Sequence, residues 1–564
     1  MKAQILGIQP QLVTLDQLLN RRLFRIPEYQ RSYSWDTKQR TELFSDIEKA
    51  GSTDGEHFMA TIVGLRRGTR NIRTNDFSVI EIVDGQQRLT TLIILLKAIE
   101  IALDRSDDLQ NTVAQELEKL LVKADDVAPV LLQTNHDSSQ YCLTYLREGS
   151  HPAVGDAKTL ADRYLLGAMV DCERYVQRWK ASGSKLTDLI VLLKNRLYFI
   201  FHELADEAAV YLVFEVLNSR GLEVSWFDRL KSILMGIAFE AQTGNETETI
   251  REIHSIWHEI YDTVGLRQGL STEALRFAAT LRFSTQPSRP LGEEDAVDVL
   301  RTASESTAKG AIDVSRWVLR VTQAADKLYA DKRLTAVTAI VQARLLAVAL
   351  QMREDLDIGE RNSLLKDWEK VSFRIYGMCR KDARTKVGDY VRLAWHCVHD
   401  APDAGELRAQ IRALGSDHSA EAAADVLRDA NCYEEWQTEL RYFLFRYEEH
   451  LARTKGQKFD NEQWSRIWED SAARSIEHVL PQSKGYLWPT TAGIFVHRLG
   501  NLTLLPPGLN SKLQDLDPLE KKAEYLKTGL AIAGDVAQRI PPWDRKAVEK
   551  REEELITWAA SEWA

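Results

Sequence analysis

A carboxylate directly beside a histidine, followed by two asparagines nine positions apart, forms a compact set of oxygen donors and one base: Glu477-His478, Asn501 and Asn510. Glu477 and Asn510 have the hard oxygen atoms that magnesium, or manganese, takes while keeping several waters. His478 has the proton affinity to draw a proton from water for attack on a phosphodiester. Asn501 suits bracing the loop that carries His478 better than touching the metal. Lys512, Lys521 or Lys522 could meet the extra charge of the transition state. This is nuclease chemistry.

Positioning such a set requires particular elements. Pro481 forbids continued ladder bonding, so residues 475–479 read as a short strand. Residues 502–505, closed by Pro506-Pro507, read as a second strand, and the chain turns helical from Leu509. Two strands and a helix make a ββα-metal arrangement. Adjacent residues on a regular strand face opposite ways, so Glu477 and His478 can serve one site only if the strand bends or ends there. The competing reading is that these residues only cap strands and helices.

A second cluster lies near the other end of the chain. Residues 57–64 and 77–83 read as strands, joined by a hairpin tip carrying Arg66, Arg67, Arg70 and Arg73. The tip is either solvated or a contact for a phosphate backbone. Asp84-Gly85-Gln86-Gln87-Arg88 follows, and then an apolar helix. Strand, glycine turn and helix N-terminus make a ready anion site. Gly85 lets the backbone approach a phosphate, Arg88 neutralises it, and Asp84 suits magnesium. The spacing is not that of a Walker A loop. Upstream, Tyr29, Tyr33 and Trp35 surround Gln30 and Arg31; they either pack on the domain or form a surface that stacks on a base. Downstream, Asn218-Ser-Arg220-Gly221 is a polar turn before a helix bearing Lys231, and a helix cap explains that turn equally well.

The 564 residues are too many for one core, so several domains are expected. With 44% hydrophobic and 28% charged residues the chain has ordinary globular composition. A net charge of −10 argues against a coat of basic charge for nonspecific nucleic-acid binding. Five scattered cysteines without C-x-x-C suggest reduced thiols in a cytoplasmic protein, with no zinc knuckle or disulfide frame. The N-terminus lacks the features of a signal peptide. The apolar runs 89–103 and 334–352 carry charges, and read as buried helices instead of membrane spans. Residues 104–200 and 240–440 read as helical. His254-Ser-Ile-Trp-His258 lacks the Glu of a zinc helix, and the basic segment 374–386 is either a solvated helix end or a DNA-facing surface.

Ile476-Glu477-His478-Val479-Leu480-Pro481-Gln482, Gly500-Asn501-Leu-Thr-Leu-Leu, Asn510-Ser-Lys-Leu and Lys521-Lys522 together resemble the C-terminal HNH nuclease domain of GmrSD-type modification-dependent restriction enzymes. Pro27-x-Tyr29-Gln30-Arg31-x-Tyr33-x-Trp35, the Asp84 to Arg88 string and Phe214-Glu-x-Leu-Asn218-x-Arg220-Gly221 resemble the companion GmrS-like domain, similar in fold to ParB and sulfiredoxin. The resemblance implies a mixed, predominantly α chain. Its parts would be an α+β nucleotide-binding and DNA-sensing domain over 1–240, a helical linker region over 241–440, and an HNH nuclease domain over 441–564.

It further implies an anti-phage enzyme that hydrolyses a nucleoside triphosphate with magnesium and nicks DNA. Asp84, Gly85, Gln86, Gln87, Arg88, Asn218 and Lys231 would fall at the nucleotide. Tyr29, Gln30, Arg31, Tyr33, Trp35, Arg66 and Arg67 would fall where DNA is sensed. Relatives recognise glucosylated hydroxymethylcytosine or, in the SspE-like branch, phosphorothioate-linked DNA. Asn510 departs from the H-N-H lettering but keeps an oxygen donor. The partners expected are DNA and a nucleotide, with a homodimer open and no membrane. The alternatives are a nucleotide-switched DNA clamp with an inert HNH-like unit, and an RNA-directed nuclease of abortive defence.

Overall fold

The run Leu89-Thr-Thr-Leu-Ile-Ile-Leu-Leu96 has no polar stripe, and a helix of that composition is stable only inside a core. The computed structural model places it there. It describes residues 9–27, 32–52, 57–72, 74–123, 131–134, 139–204, 225–240, 246–456, 468, 472–487, 495–506 and 508–564. Tyr29, Gln30, Arg31 and Asn218 lie outside the described residues. The chain divides into two compact units: residues 1–272 with 300–319, and residues 273–299 with 320–564.

The first unit is built on a six-stranded mixed sheet of order β1-β6-β3-β4-β2-β5. Its strands are β1 (Gln9–Thr14), β2 (Arg22–Ile26), β3 (His57–Ile72), β4 (Asn75–Asp84), β5 (Leu132–Thr134) and β6 (Leu197–Leu204). Helix α1 (Leu15–Leu19) starts where the sequence places a cap: the Thr14 hydroxyl accepts from Gln17 N while Gln17 Oε1 accepts from Thr14 N. The central helix, α3 (Gln86–Ala102), shares one core with Ile62, Ile80, Ile82, Phe199 and Phe201 of the sheet. Its charged interruptions are buried as a pair, Lys97 Nζ lying 2.7 Å from Glu100 Oε2.

Residues 65–72, expected in a hairpin tip, belong instead to the strand, and Arg73 lies outside the described residues. β3 continues through Ile72, paired antiparallel with β4 down to Ile72 opposite Asn75. Arg66 and Arg67 therefore stand on a strand. Arg67 Nε is 2.5 Å from Glu81 Oε2 on β4, and Arg66 Nη1 is 3.5 Å from Glu203 Oε1 on β6. Such cross-strand charge pairs support the ladder.

Among its described residues the second unit is helical apart from one small two-stranded sheet. Its organising element is the helix Gln437–Thr454. Arg446 on it is buried among Glu369, Glu449 and Glu562, and the Tyr442 hydroxyl donates to Glu369. Glu448 on the same helix accepts N–H groups from Ala531 at 2.8 Å and Ile532 at 2.6 Å, capping the helix Ala531–Arg539. Arg374, which the sequence put in a basic surface cluster or helix end, is instead buried and donates to the Trp563 carbonyl at 2.7 Å. His258 pairs with Asp262 one turn on, and His399 sits 2.8 Å from the Leu281 carbonyl. No helix among the described residues is long and apolar enough to cross a membrane.

Gly85 joins β4 to α3 with φ of +86°, and a Cβ there would lie 2.9 Å from Ile62 Cγ1 and 3.1 Å from Thr61 O. Both the left-handed backbone and the close approach require glycine. Gly85→Ala should destabilise the first unit by roughly 1–3 kcal/mol. An unchanged thermal unfolding midpoint would contradict this.

Candidate active site

The C-terminal site is assembled on two three-residue strands. Ile476–His478 (β7) pairs antiparallel with Leu502–Leu504 (β8), in the register Ile476–Leu504, Glu477–Thr503 and His478–Leu502. Both strands are fully buried. Two neighbouring polar side chains on such a strand project to opposite sides, and each must find partners away from water.

Glu477 finds them on the helix Pro518–Lys527. Its Oε1 accepts from Lys521 Nζ at 2.6 Å and from the Tyr525 hydroxyl at 3.1 Å. Lys521, with no exposed surface, also donates to the His478 carbonyl at 2.8 Å. Burial works against both charges, raising the carboxyl's pKa and lowering the ammonium's, and each partner's opposite charge works the other way.

His478 has a separate set of neighbours. Its Nε2 lies 3.1 Å from His497 Nδ1, and its Nδ1 lies 3.2 Å from Gln482 Nε2. The Tyr433 ring meets His478 edge-on, 4.3 Å between centroids, and stacks with His497 at 5.7 Å. Burial first, and the charges of His497 and Lys521 second, push the imidazole down to about 3. It is therefore neutral at physiological pH, the form that can accept a proton.

Asn501 spends its side-chain amide on hydrogen bonds around the turn that follows His478. Its Oδ1 accepts from Leu480 N at 2.9 Å and from Trp543 Nε1 at 3.1 Å, and its Nδ2 donates to the carbonyls of Leu480 and Val496. The turn after His478 is thereby tied to the start of β8. Gly500 lets the helix Arg545–Glu562 come close, since a Cβ there would fall 2.1 Å from Val548 O. From that helix the buried Arg551 donates to the carbonyls of Gly500 and Leu502 at 2.8 and 2.7 Å.

Asn510 opens a single helical turn, Asn510–Leu513, and its Nδ2 donates to the carbonyls of Ile476 at 2.9 Å and Arg474 at 3.2 Å. Lys512 is exposed, while Lys522 donates to the Ile540 carbonyl at 2.6 Å. Of the three lysines weighed from sequence, Lys521 is the one in the site.

Glu477 and Asn510, expected to hold a shared magnesium or manganese ion, both lie against β7 in different settings. The strand stays regular, so Glu477 turns from His478 toward a fixed ammonium that would repel a second cation. The Asn510 amide nitrogen is committed to the main chain of β7.

His497, Gln482 and Tyr433 were missed as site residues. His497 stood in view, opening the His-Arg-Leu-Gly-Asn string, and its distance from Asn501 was the available signal. Tyr433 comes from a separate helix, Cys432–Glu435, and nothing local marks it.

In the first unit the structure brings two separated motifs together. Gln87 Oε1 accepts from Ser34 N at 2.8 Å and its Nε2 donates to Ser32 O at 3.1 Å. The Tyr33 hydroxyl is 2.8 Å from Thr91 Oγ1, and the Arg88 guanidinium lies over the Trp35 ring at 5.6 Å. Tyr33 and Trp35 are only 8% and 6% exposed, so they pack the 32–35 segment onto α3 and offer no open stacking face to DNA. Burial lowers the pKa of Arg88, and Asp46 and Asp84 oppose that. Asp84 and Gly85 stay half-buried at the start of α3, beside Arg88, while Gln86 and Gln87 are buried. Lys231 is buried on the helix Trp226–Glu240 with its ammonium 5.2 Å from the Tyr261 ring centroid.

Two family models match the chain: GmrSD restriction endonuclease, N-terminal domain, over residues 15–235, and GmrSD restriction endonucleases, C-terminal domain, over residues 417–558. No curated protein matches.

Lys521→Met should strand a buried carboxylate and cost about 3–5 kcal/mol. Adding Glu477→Gln should recover much of the loss, as measured by denaturant unfolding; a double variant no more stable than Lys521→Met would dissolve the pair.

Proposed function

Since the chain belongs to the GmrSD restriction endonucleases, we propose that His478 is the general base of its DNA-cutting centre and that a nucleoside triphosphate at residues 84–88 governs the cut. Membership makes it a modification-dependent restriction endonuclease with DNA as substrate. The observation that carries the reading is His478 itself: a buried, uncharged imidazole on β7, with the following turn held at Leu480 by two hydrogen bonds to Asn501, whose amide is fixed in turn by Val496 and Trp543. A base held in place before substrate arrives spends little of its catalytic advantage on reorganisation.

In the proposed reaction the imidazole takes a proton from water as the water oxygen attacks phosphorus. The bond from phosphorus to the leaving oxygen of the neighbouring nucleotide then breaks, and that oxygen takes up a proton from solvent to leave as a hydroxyl. No step is assigned to a metal. One centre of this kind acts on one strand per engagement, so nicking is the elementary event. In the first unit, Gly85 and the N–H groups opening α3 would receive the phosphates, with Arg88 as counter-charge. Gln87 ties this turn to residues 32–34, which gives nucleotide binding a direct mechanical link to the segment adjoining Tyr29, Gln30 and Arg31.

His478→Ala should abolish nicking of plasmid DNA while triphosphate hydrolysis continues, and nicking at the unaltered rate would overturn the assignment. Arg88→Ala should lose nucleotide turnover, measured as phosphate release, with the unfolding midpoint retained. Normal turnover would move the nucleotide elsewhere.

A further inference from the structure

Each ring nitrogen of His478 has a neighbour, and the two neighbours differ in kind. Gln482 approaches Nδ1 with its amide nitrogen, a group that only donates, so Nδ1 carries the lone pair. The ring proton of the neutral imidazole is then on Nε2, where it points at His497 Nδ1, 3.1 Å away. His497 Nδ1 must accept, which leaves its own proton on Nε2, the atom that lies 3.7 Å from Glu434 Oε1. One orientation of hydrogen bonds runs through Gln482, His478 and His497, and the Glu434 carboxylate faces the far nitrogen of His497.

The two ends of this chain are not equally fixed. Gln482 is exposed on a short 3-10 turn, whereas His497 is half-buried and stacked against Tyr433. A water molecule bound for phosphorus can displace the amide of Gln482. It meets the lone pair on Nδ1 only if His497 keeps the proton on Nε2.

We propose that His497 is a positioning residue for the cutting reaction: by accepting from His478 Nε2 it sets the tautomer that exposes the Nδ1 lone pair, and Glu434 orients His497 in turn. This rests on His478 being the general base. It is the role a carboxylate or carbonyl plays behind other catalytic histidines, here given to a second imidazole.

The test uses the full chain and plasmid DNA. His497→Ala should lower kcat for nicking roughly 10- to 100-fold, the range lost when an orienting partner is removed. KM for DNA and the unfolding midpoint should stay close to those of the unaltered protein. His497→Asn, whose Oδ1 can accept near the former Nδ1, should recover most of the rate. Glu434→Gln should lower kcat less than His497→Ala does. His478→Ala/His497→Ala should be no slower than His478→Ala, because both changes remove one function.

Equal rates for His497→Ala and the unaltered protein would overturn the proposal, as would a loss confined to KM. A loss that Asn does not rescue would make His497 merely structural, and would overturn it too. If His497→Ala unfolds, the comparison of Asn with Leu at 497 decides in the same way. The underlying reading fails separately, through a His478→Ala protein that still nicks.

Discussion

Two buried polar side chains stand next to each other on a strand only three residues long, and the geometry of a strand sends them apart. That constraint shapes the C-terminal unit. Glu477 cannot be solvated and cannot reach the side of His478, so it needs a cation of its own; Lys521 and Tyr525 supply the charge and the hydroxyl from one helix face. His478, on the other side, needs neutral partners and finds His497 and Gln482. Leaving a buried carboxylate unpaired costs several kcal/mol, more than any of the exposed ion pairs of this protein contributes.

The pair has a second consequence, because Lys521 also holds the His478 main chain. One ammonium fixes both the side chain of Glu477 and the backbone of the base, while Asn501 fixes the turn that follows. The base is thus set by contacts to its backbone from one direction and to its ring from another. Its low basicity follows from the same burial: a charged imidazole there would face the field of Lys521 and lose its water.

The first unit solves a related problem with different groups. An apolar helix buried on all sides must still begin somewhere, and its opening N–H groups need acceptors or a ligand. Gln87 uses its own amide to secure residues 32–34, and Tyr33 reaches the next turn through Thr91. The start of α3 is therefore firmly attached to its surroundings, while Gly85 keeps the backbone there free of side-chain bulk.

The sequence alone determined the local elements and the residue types of both sites. Pro481 and Pro506 bounded the short strands, Gly85 marked the turn, and the unbroken apolar run predicted a helix buried all round. Each of these signals acts within a few residues, so it is legible without the fold. The same strings also carried the family resemblance. The tertiary structure decided which buried charge meets which. It chose Lys521 over Lys512 and Lys522, turned Glu477 away from His478, brought Tyr433 to the base from a distant helix, and ran β3 on through its arginines. Those choices depend on how helices and strands far apart in the chain pack together. Spacing in the sequence records the direction of a side chain, but the partner that satisfies it comes from another element.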